Sequence, residues 1–246
     1  MTKTLILIPS RMAATRLPGK PLLKINNLSI ISHVFKRAEE ADIGEVVVAT
    51  EDQVILEDVF KNGGKAVLTK SNHKTGTDRI FEAYKILDIK NVDYVLNLQG
   101  DEPDINKDDI INLNNFMINH DAELGTLAAK IKDNKILNNK NVVKVITENK
   151  LENDNFPTAL NFTRDNLSID SQNIYHHIGI YSYRVSVLEK FVNLDQTNNE
   201  KKNKLEQLRA LDNKLKINVA LAKSSSIGVD TEEDYLAIKK IMEYKI

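Results

Sequence analysis

Three cations follow the first apolar run of the chain. Arg11, Arg16 and Lys20 lie in a turn after Leu5–Pro9, a run that is typical of a strand. In open α/β sheets ligands bind beyond the carboxyl ends of the strands, and cations with loop N–H groups there suit a polyphosphate. The turn is not a P-loop, because it lacks glycine at position 14 and has proline after the lysine. It predicts a triphosphate clamp of another kind, and a solvated basic turn is the alternative.

Two acidic segments could hold a divalent cation. Asp101 follows a predicted strand at Asp93–Leu98, and Mg²⁺ binds one or two carboxylates together with substrate phosphates. Asp230 could supply a second carboxylate. The alternatives are an acidic β-turn at Asp101 and, at Asp230, the polar lead-in to a helix capped by Thr231 and Asp234. Spacing alone favours the cap.

The remaining polar residues give weaker signals. His176 and His177 precede a strand, where neighbouring side chains point to opposite faces, so a shared zinc ion is not expected. Leucines at 205, 208 and 211 mark the buried side of a helix. Glu206, Gln207 and Arg209 are therefore expected on its exposed side. The chain has no Ser/His/Asp nucleophile pattern and no GxGxxG motif for a dinucleotide.

The elements that must position these residues alternate in the first half of the chain, as in βαβ units with a mainly parallel sheet. The strands predicted there are Leu5–Pro9, Glu45–Thr50, Lys65–Thr69 and Asp93–Leu98. The helices predicted there are Ser29–Glu40, Val54–Lys61, one that ends near Leu87 and one that starts near Lys107.

The middle of the chain changes character. Four strands with few helical turns between them predict antiparallel additions or a small flap: Leu124–Ile131, Asn141–Thr147, Ala159–Phe162 and Ile178–Tyr183. Two polar segments, Arg164–Asn173 and Asn193–Asn203, are expected to be loops. The remaining predicted elements are a helix at Leu205–Asn213, a strand at Ile217–Ala222 and a helix at Glu232–Met242.

Composition bounds the class of protein. At 246 residues the chain fits one large α/β domain or such a domain with a small appendage. Its 34 basic and 35 acidic residues leave no cation excess for a nucleic acid. It has no cysteine, which is compatible with a reducing compartment, and no apolar run of bilayer length. We expect a cytoplasmic protein with no nucleic-acid partner and no membrane insertion.

Seven motifs follow one another in a family-specific order. They are Ile8–Arg11 with Thr15–Pro21, Val48–Thr50, Thr75–Arg79, Leu98–Pro103, His177–Tyr181, Leu205–Arg209 and Gly228–Thr231. Together they resemble the 3-deoxy-manno-octulosonate cytidylyltransferases, also called CMP-Kdo synthetases. The segment after Arg164 lacks the Ile-Pro stretch common in that family, and Thr197–Lys202 also departs from its pattern.

The resemblance implies a fold, an activity and an assembly. The fold would be a Rossmann-like nucleotidyltransferase fold, with a mixed, mainly parallel sheet, helices on both faces and a small antiparallel flap. Residues 1–246 would form one domain, in which about 124–200 make a sugar-binding and dimerisation lobe of a homodimer. The enzyme would join CTP to the eight-carbon acid sugar Kdo, giving CMP-Kdo and pyrophosphate for lipopolysaccharide synthesis.

The resemblance also implies residue roles. The catalytic residues would be Arg11, Lys20, Asp101 and Asp230, and the two aspartates would be the Mg²⁺ ligands. The CTP-binding residues would be Pro9, Ser10, Arg11, Arg16, Lys20, Thr77 and Arg79. The sugar-binding residues would be Gln99, Arg164, His177, Tyr181, Glu206 and Gln207.

Other functions stay open at this point. A sister cytidylyltransferase could act on sialic acid, on the 8-amino analogue of Kdo or on a sugar phosphate. A phosphorylated acceptor would call for more cations than Arg164 and Arg184 in the sugar half. A nucleotide-sugar-dependent glycosyltransferase usually carries an Asp-x-Asp motif, which Asp101–Asp104 does not match. A regulatory module that binds nucleotide without catalysis is hard to reconcile with two candidate metal carboxylates.

Overall fold

The computed structural model describes residues 2–13, 16–131, 133–165, 173–224 and 228–244. The chain divides into two compact units. The first consists of Met1–Ile110 and Ser226–Ile246, and the second of Ile111–Ser225. The first unit therefore contains both ends of the chain, and the second is inserted between them.

The elements are numbered in chain order. The strands are β1 (Thr4–Ser10), β2 (Lys24–Ile25), β3 (Leu28–Ser29), β4 (Gly44–Thr50), β5 (Ala66–Leu68), β6 (Tyr94–Asn97), β7 (Leu124–Lys130), β8 (Lys144–Thr147), β9 (Ala159–Thr163), β10 (Ile174–Arg184) and β11 (Asn218–Leu221). The α-helices are α1 (Ile30–Glu39), α2 (Gln53–Lys61), α3 (Gly76–Leu87), α4 (Lys107–Asn119), α5 (Asn134–Asn138), α6 (Val185–Val192), α7 (Asn198–Asn203), α8 (Leu208–Asp212) and α9 (Glu232–Glu243). A 3₁₀ turn covers Lys20–Leu22.

In the first unit the strands run parallel in the order β6-β1-β4-β5. Strand β1 is buried along most of its length and pairs with β4 on one side and β6 on the other. Its residues Ile6 and Leu7 lie opposite Leu96 and Asn97 of β6. Because parallel strands end at one edge, the segments that follow β1 and β6 are brought together there. The predicted parallel sheet is confirmed.

In the second unit β7 lies between β11, with which it is parallel, and β10, with which it is antiparallel. Strand β8 pairs antiparallel with both β10 and β9. The predicted antiparallel strands are thus present, although β10 starts four residues before the predicted Ile178–Tyr183 and β8 is shorter than predicted. The mixed α/β class expected from the sequence is confirmed.

The helices of the second unit differ most from the sequence-based expectations. Asn193–Asn203 was expected to be a loop, but α7 forms there behind a capping box in which Thr197 and Glu200 exchange hydrogen bonds. Helix α6 was not predicted, and α8 is shorter than the predicted Leu205–Asn213. Most of the other expected loop, at 166–172, lies outside the described residues. None of the described helices has both the length and the apolar character that a membrane span requires.

Candidate functional site

A cleft of about 340 Å³ lies in the first unit, where the segments after β1, β5 and β6 meet. This volume is within the range of small-molecule sites. Its lining includes nine residues singled out from the sequence: Pro9, Ser10, Arg11, Arg16, Lys20, Arg79, Gln99, Asp101 and Asp230. These residues are far apart in the sequence. The segments that follow the parallel strands and the segment that contains Asp230 bring them together in the cleft.

Four of the lining residues form an ion-pair cluster, here called the open cluster: Arg16, Lys20, Asp101 and Asp230. Lys20 Nζ lies 2.8 Å from Asp101 Oδ2 and 3.3 Å from Asp230 Oδ1. Arg16 Nη2 lies 2.9 Å from Asp230 Oδ2. Two carboxylates separated widely in the chain therefore share one ammonium group.

Backbone contacts hold the two aspartates together. The N–H of Val229 donates to the carbonyl oxygen of Asp101 at 2.9 Å, next to Asp230. Helix α9 begins immediately afterwards, with a capping box between Thr231 and Asp234. The predicted cap is therefore present and is made by Thr231 and Asp234, while Asp230 lines the cleft and its metal role stays a prediction.

Two glycines allow the backbone to pass close to the cleft. Gly19 precedes the 3₁₀ turn with φ of 71°, in the left-handed region that glycine adopts without strain. A Cβ added at Gly100 would lie 2.8 Å from the carbonyl oxygen of Pro9. The absence of a side chain at Gly100 therefore lets the segment of Asp101 lie against the end of β1.

Apolar packing fixes the cationic turn. Leu17 and Leu23 pack against a buried cluster that includes Ile25, Val229 and Ile238. The turn that carries Arg16 and Lys20 is thereby tied to α9 and to the segment that carries Asp230. Burial of these apolar side chains contributes favourable free energy, which helps to hold the charged groups of Arg16, Lys20 and Asp230 at fixed positions.

The protonation of Lys20 reflects its neighbours. Burial by itself would lower the pKa of its ammonium group, but attraction and hydrogen bonding to Asp101, and then to Asp230, outweigh burial and raise the pKa. Lys20 is therefore positively charged at neutral pH. It neutralises part of the negative charge that the two carboxylates create.

Arg79 and Thr77 are both buried, and Arg79 is held by other side chains. The guanidinium of Arg79 forms an ion pair with Glu51 and donates to Thr69 Oγ1 at 2.6 Å, and its side chain is almost fully buried. Thr77 is buried in the first turn of α3 and does not line the cleft. Arg79 thus contributes to one wall of the cleft with its charge already paired.

Two further residues of this wall were not predicted from the sequence. His73 and Lys74 also line the cleft, between β5 and α3, and His73 contacts Glu82 through Nε2. Ser10 Oγ is buried in the cleft wall and has no hydrogen-bond partner among the described residues. The position of the polar loop 71–75 at the carboxyl end of β5 was the available signal, since ligand-binding loops occupy that edge.

The donor set of the open cluster fits a divalent cation. In the part of the chain that the structure describes, no group of three or more His, Cys, Asp or Glu side chains could hold a metal ion. Asp101 and Asp230 nevertheless converge on one cationic group, Lys20 Nζ. Mg²⁺ commonly takes one or two carboxylates and completes its shell with water and substrate phosphates. Two converging carboxylates are therefore sufficient for that kind of site.

Apart from Gln99, the sugar-side candidates predicted from the sequence lie in the second unit. Thr126 Oγ1 lies 2.6 Å from the carbonyl oxygen of Ile180, to which it donates its hydroxyl hydrogen, and 3.0 Å from His177 Nε2. His177 Nε2–H must then donate to Thr126, which leaves Nδ1 as the acceptor of the ring. Burial, with smaller effects from the charges of His176 and Arg164, lowers the pKa of His177 to about 3.

His177 belongs to a continuous row of rings, here called the aromatic row: Phe162, His177, Tyr181, Tyr183 and Phe191. Successive ring centroids are 5.1, 5.4, 6.1 and 5.8 Å apart. Burial raises the pKa of the Tyr181 hydroxyl well above its usual range, and Tyr183 and the charge of Glu206 add to the effect.

The exposed face predicted for the 205–213 helix is only partly correct. Glu206 and Gln207 are half-buried, but Arg209 is buried and forms a two-pronged ion pair with Glu200. The expectation for Arg209 was wrong because its partner lies nine residues earlier, on α7, and no helical spacing links them. The T-x-x-E capping signature at Thr197 and Glu200 was a sequence signal for α7.

Arg164 follows β9 and is half-exposed. Its Nη1 donates to the carbonyl oxygen of Asn141 at 2.7 Å. The buried Lys144 donates from Nζ to the carbonyl oxygens of Arg164 and Asn139 at 3.0 and 3.2 Å. Two cations thus tie β8 and β9 to the segment 139–141, and Lys144 is a residue that sequence reasoning did not single out.

Comparisons with known proteins agree with one another. Residues 5–217 match the family model described as cytidylyltransferase. A protein of Rhodopseudomonas palustris (strain BisB18), named 3-deoxy-manno-octulosonate cytidylyltransferase, is 44% identical over 244 residues, which cover 99% of each chain. One of the same name from Bartonella bacilliformis is 39% identical over 245 residues, 98% of each chain.

Solved structures extend the comparison. CMP:2-keto-3-deoxy-manno-octonic acid synthetase in complex with CTP matches 100% of both chains, with a TM-score of 0.90 and 32% identity. Apo UDP-glucose pyrophosphorylase matches 100% of this chain and 99% of its own, with a TM-score of 0.73. At 13% identity, the second likeness shows the fold alone.

Proposed function

Because the chain belongs to the family of 3-deoxy-manno-octulosonate cytidylyltransferases, we propose that it transfers CMP from CTP to the anomeric hydroxyl of Kdo. The products would be CMP-Kdo and pyrophosphate. The family resemblance inferred from the motifs and the nucleotidyltransferase class are confirmed by these relatives. The observation that carries the proposed chemistry is the open cluster, in which two cations and two carboxylates converge in one cleft.

The reaction forms a bond between the sugar oxygen and the α-phosphorus of CTP. It breaks the bond between that phosphorus and the oxygen that bridges the α- and β-phosphates, and pyrophosphate leaves. The enzyme need form no covalent bond, so positioning and charge stabilisation supply the acceleration. Arg11 is exposed at the cleft and has no ion pair among the described residues. Arg11 and Lys20 would offset the negative charge that builds on the departing pyrophosphate.

Lys20 would change partners when the nucleotide binds. Its ammonium group now neutralises Asp101 and Asp230, and a triphosphate offers it a stronger concentration of negative charge. If Lys20 turns to the phosphates, Asp101 and Asp230 would be the residues that hold Mg²⁺. Bound there, the ion would supply Lewis-acid polarisation of the phosphate oxygens.

The sugar would be bound by residues of the second unit. Arg164 is the candidate for the sugar carboxylate, because a guanidinium can donate two parallel hydrogen bonds. His177 stays neutral over the physiological range and suits a hydroxyl group, since its Nδ1 accepts. Tyr181, Glu206 and Gln207 add hydroxyl, carboxylate and amide groups. A homodimer, a cytoplasmic location and a role in lipopolysaccharide synthesis complete the proposal.

A panel of acid sugars tests the proposal directly. Purified protein is incubated with CTP, Mg²⁺ and Kdo, 8-amino-Kdo or sialic acid, and pyrophosphate release is measured. We expect release with Kdo that depends on the divalent cation. Faster release with 8-amino-Kdo or sialic acid would change the assigned sugar, and no release with any of them would refute the enzyme assignment. Light scattering coupled to gel filtration tests the dimer.

A further inference from the structure

The second unit contains a buried ion pair between Arg209 and Glu200, here called the sealed pair. A contribution to the stability of the fold does not by itself explain why the pair is present. Nε and Nη2 of Arg209 donate to the carboxylate of Glu200 at 2.9 and 2.6 Å. The two side chains are only 3% and 5% exposed. Replacing a buried ion pair with apolar residues of similar volume is often neutral or stabilising, because both charges lose hydration. The contacts that Arg209 makes with other residues therefore deserve a functional explanation.

The first of these contacts is with Glu206. Arg209 Nη2 lies 3.8 Å from Glu206 Oε1, and the Arg209 N–H donates to the Glu206 carbonyl oxygen at 3.0 Å. Glu206 precedes α8, where side-chain direction is not fixed by a regular helix. The Arg209 guanidinium, itself held by Glu200, gives the Glu206 carboxylate a fixed positive neighbour.

The second contact leads to the aromatic row. The guanidinium carbon of Arg209 lies 4.8 Å from the ring centroid of Phe191, a distance at which a cation is attracted to a ring face. Phe191 is followed in the row by Tyr183, Tyr181 and His177. Arg209 thus contacts Glu206 directly and is linked to Tyr181 and His177 through a series of tilted ring contacts.

We propose that Arg209, clamped by Glu200, is a positioning residue that aligns Glu206 and the aromatic row for the acid sugar. This inference rests on the proposed function, since it concerns the sugar half of the same reaction. Arg209 does not touch the sugar; it fixes the direction of groups that do. The CTP-side candidates lie in the first unit, and the sealed pair lies in the second. Loss of the pair should therefore affect the sugar and not the nucleotide.

The test uses the full-length protein and three variants. The double variant Glu200→Gln with Arg209→Met removes both charges at once, so no unpaired charge is left buried. Arg209→Lys keeps the charge but cannot make the two-pronged contact. Arg184→Met is the control, because it breaks an ion pair of the same unit in which Asp121 is exposed. Steady-state constants are measured separately for the sugar and for CTP, with thermal unfolding as a check of folding.

We expect the double variant to raise the sugar KM about tenfold to a hundredfold, because a small misalignment of the sugar-binding groups has an effect of that order. The CTP KM should change less than about twofold. Arg209→Lys should show a smaller rise in the same constant, and Arg184→Met none. Equal changes for both substrates, or no change in a folded double variant, would overturn the positioning role. If the double variant does not fold, the same comparison in Arg209→Lys decides. A wild type inactive with every acid sugar would instead refute the proposed function.

Discussion

The open cluster and the sealed pair differ in how far water reaches their charges. In the open cluster the side chains of Lys20, Asp101 and Asp230 are 13%, 29% and 49% exposed, whereas both members of the sealed pair are 5% exposed or less. Exposed ion pairs contribute about 1 kcal/mol or less, but removing one partner of a buried pair costs about 3–5 kcal/mol. The open cluster can therefore exchange partners during a reaction, and the sealed pair keeps its partners.

The largest effect on activity is expected in the open cluster. Asp101→Asn should lower kcat about a thousandfold or more, because removal of one fixed charge at a reaction centre has an effect of that order. The free energy of unfolding should change by about 1 kcal/mol or less, since the pair with Lys20 is partly solvated. Pyrophosphate release and urea denaturation measure the two quantities.

Asp104→Asn is the matched control, because it makes the same change three residues further along the same turn. It should retain most of the activity. A near-normal rate in Asp101→Asn would exclude the metal role of Asp101. A large loss of stability in Asp101→Asn would instead mean that the open cluster stabilises the fold as much as the sealed pair does.

The largest effect on stability is expected in the sealed pair. Arg209→Met should lower the free energy of unfolding by about 3–5 kcal/mol, because Glu200 is left as an unpaired buried charge. Lys20→Met should lower it by about 1 kcal/mol or less. Urea denaturation of both variants gives the comparison. Similar losses of unfolding free energy in the two variants would show that solvent exposure does not decide how much each group of charges stabilises the fold.

The same contrast explains what the sequence predicted. Arg11, Arg16, Lys20 and Asp101 follow parallel strands or lie in the turn after one, and the rule that strand ends meet at one edge places them in a common cleft. Asp230 required the family resemblance, because its local pattern favoured a helix cap, and that cap is also present. Residues at strand ends are predictable because topology alone decides where they lie.

The sealed pair was not predictable in this way. Glu200 lies in a segment that was expected to be a loop, and Arg209 on a helix face that was expected to be exposed. Their ion pair depends on how α7 packs against α8, a tertiary contact that no local period records. The capping signature at Thr197 predicts that α7 begins there, but it does not predict which residue meets Glu200.

The aromatic row adds a pH-dependent effect of intermediate size. The folded protein holds His177 neutral with a pKa of about 3, whereas the unfolded chain takes up a proton below its usual pKa of about 6.5. Its contribution to stability is therefore present above pH 6.5 and is lost as the pH falls toward 3. Between pH 7 and pH 5 the loss should be about 2 kcal/mol.

Urea denaturation at pH 7, 6 and 5 checks this expectation in the wild type and in His177→Gln, which has no titrating ring. The wild type should lose more stability than the variant, by about 2 kcal/mol at pH 5. Parallel losses in the two proteins would mean that His177 is not kept neutral by burial. In that case water would reach the aromatic row, and the contrast with the open cluster would be weaker.

The smallest effect concerns the exchange of partners in the open cluster. Lys20→Met should raise the affinity of the nucleotide-free protein for Mn²⁺ about tenfold, or about 1.4 kcal/mol, because an ammonium group within 3.3 Å of both carboxylates competes with the metal ion. The measurement is a titration of free Mn²⁺ by electron paramagnetic resonance, which requires no turnover.

Lys74→Met is the matched control for this titration. Lys74 lines the same cleft but has no ion pair among the described residues, so its removal changes the net charge equally without uncovering a carboxylate. An equal gain in both variants would mean that Mn²⁺ responds only to the overall field of the cleft. A gain in Lys20→Met that disappears when Asp101→Asn is added would instead locate the ion at the carboxylates that Lys20 covers. Lys20 would then be the group that keeps the metal site closed until a triphosphate draws it away.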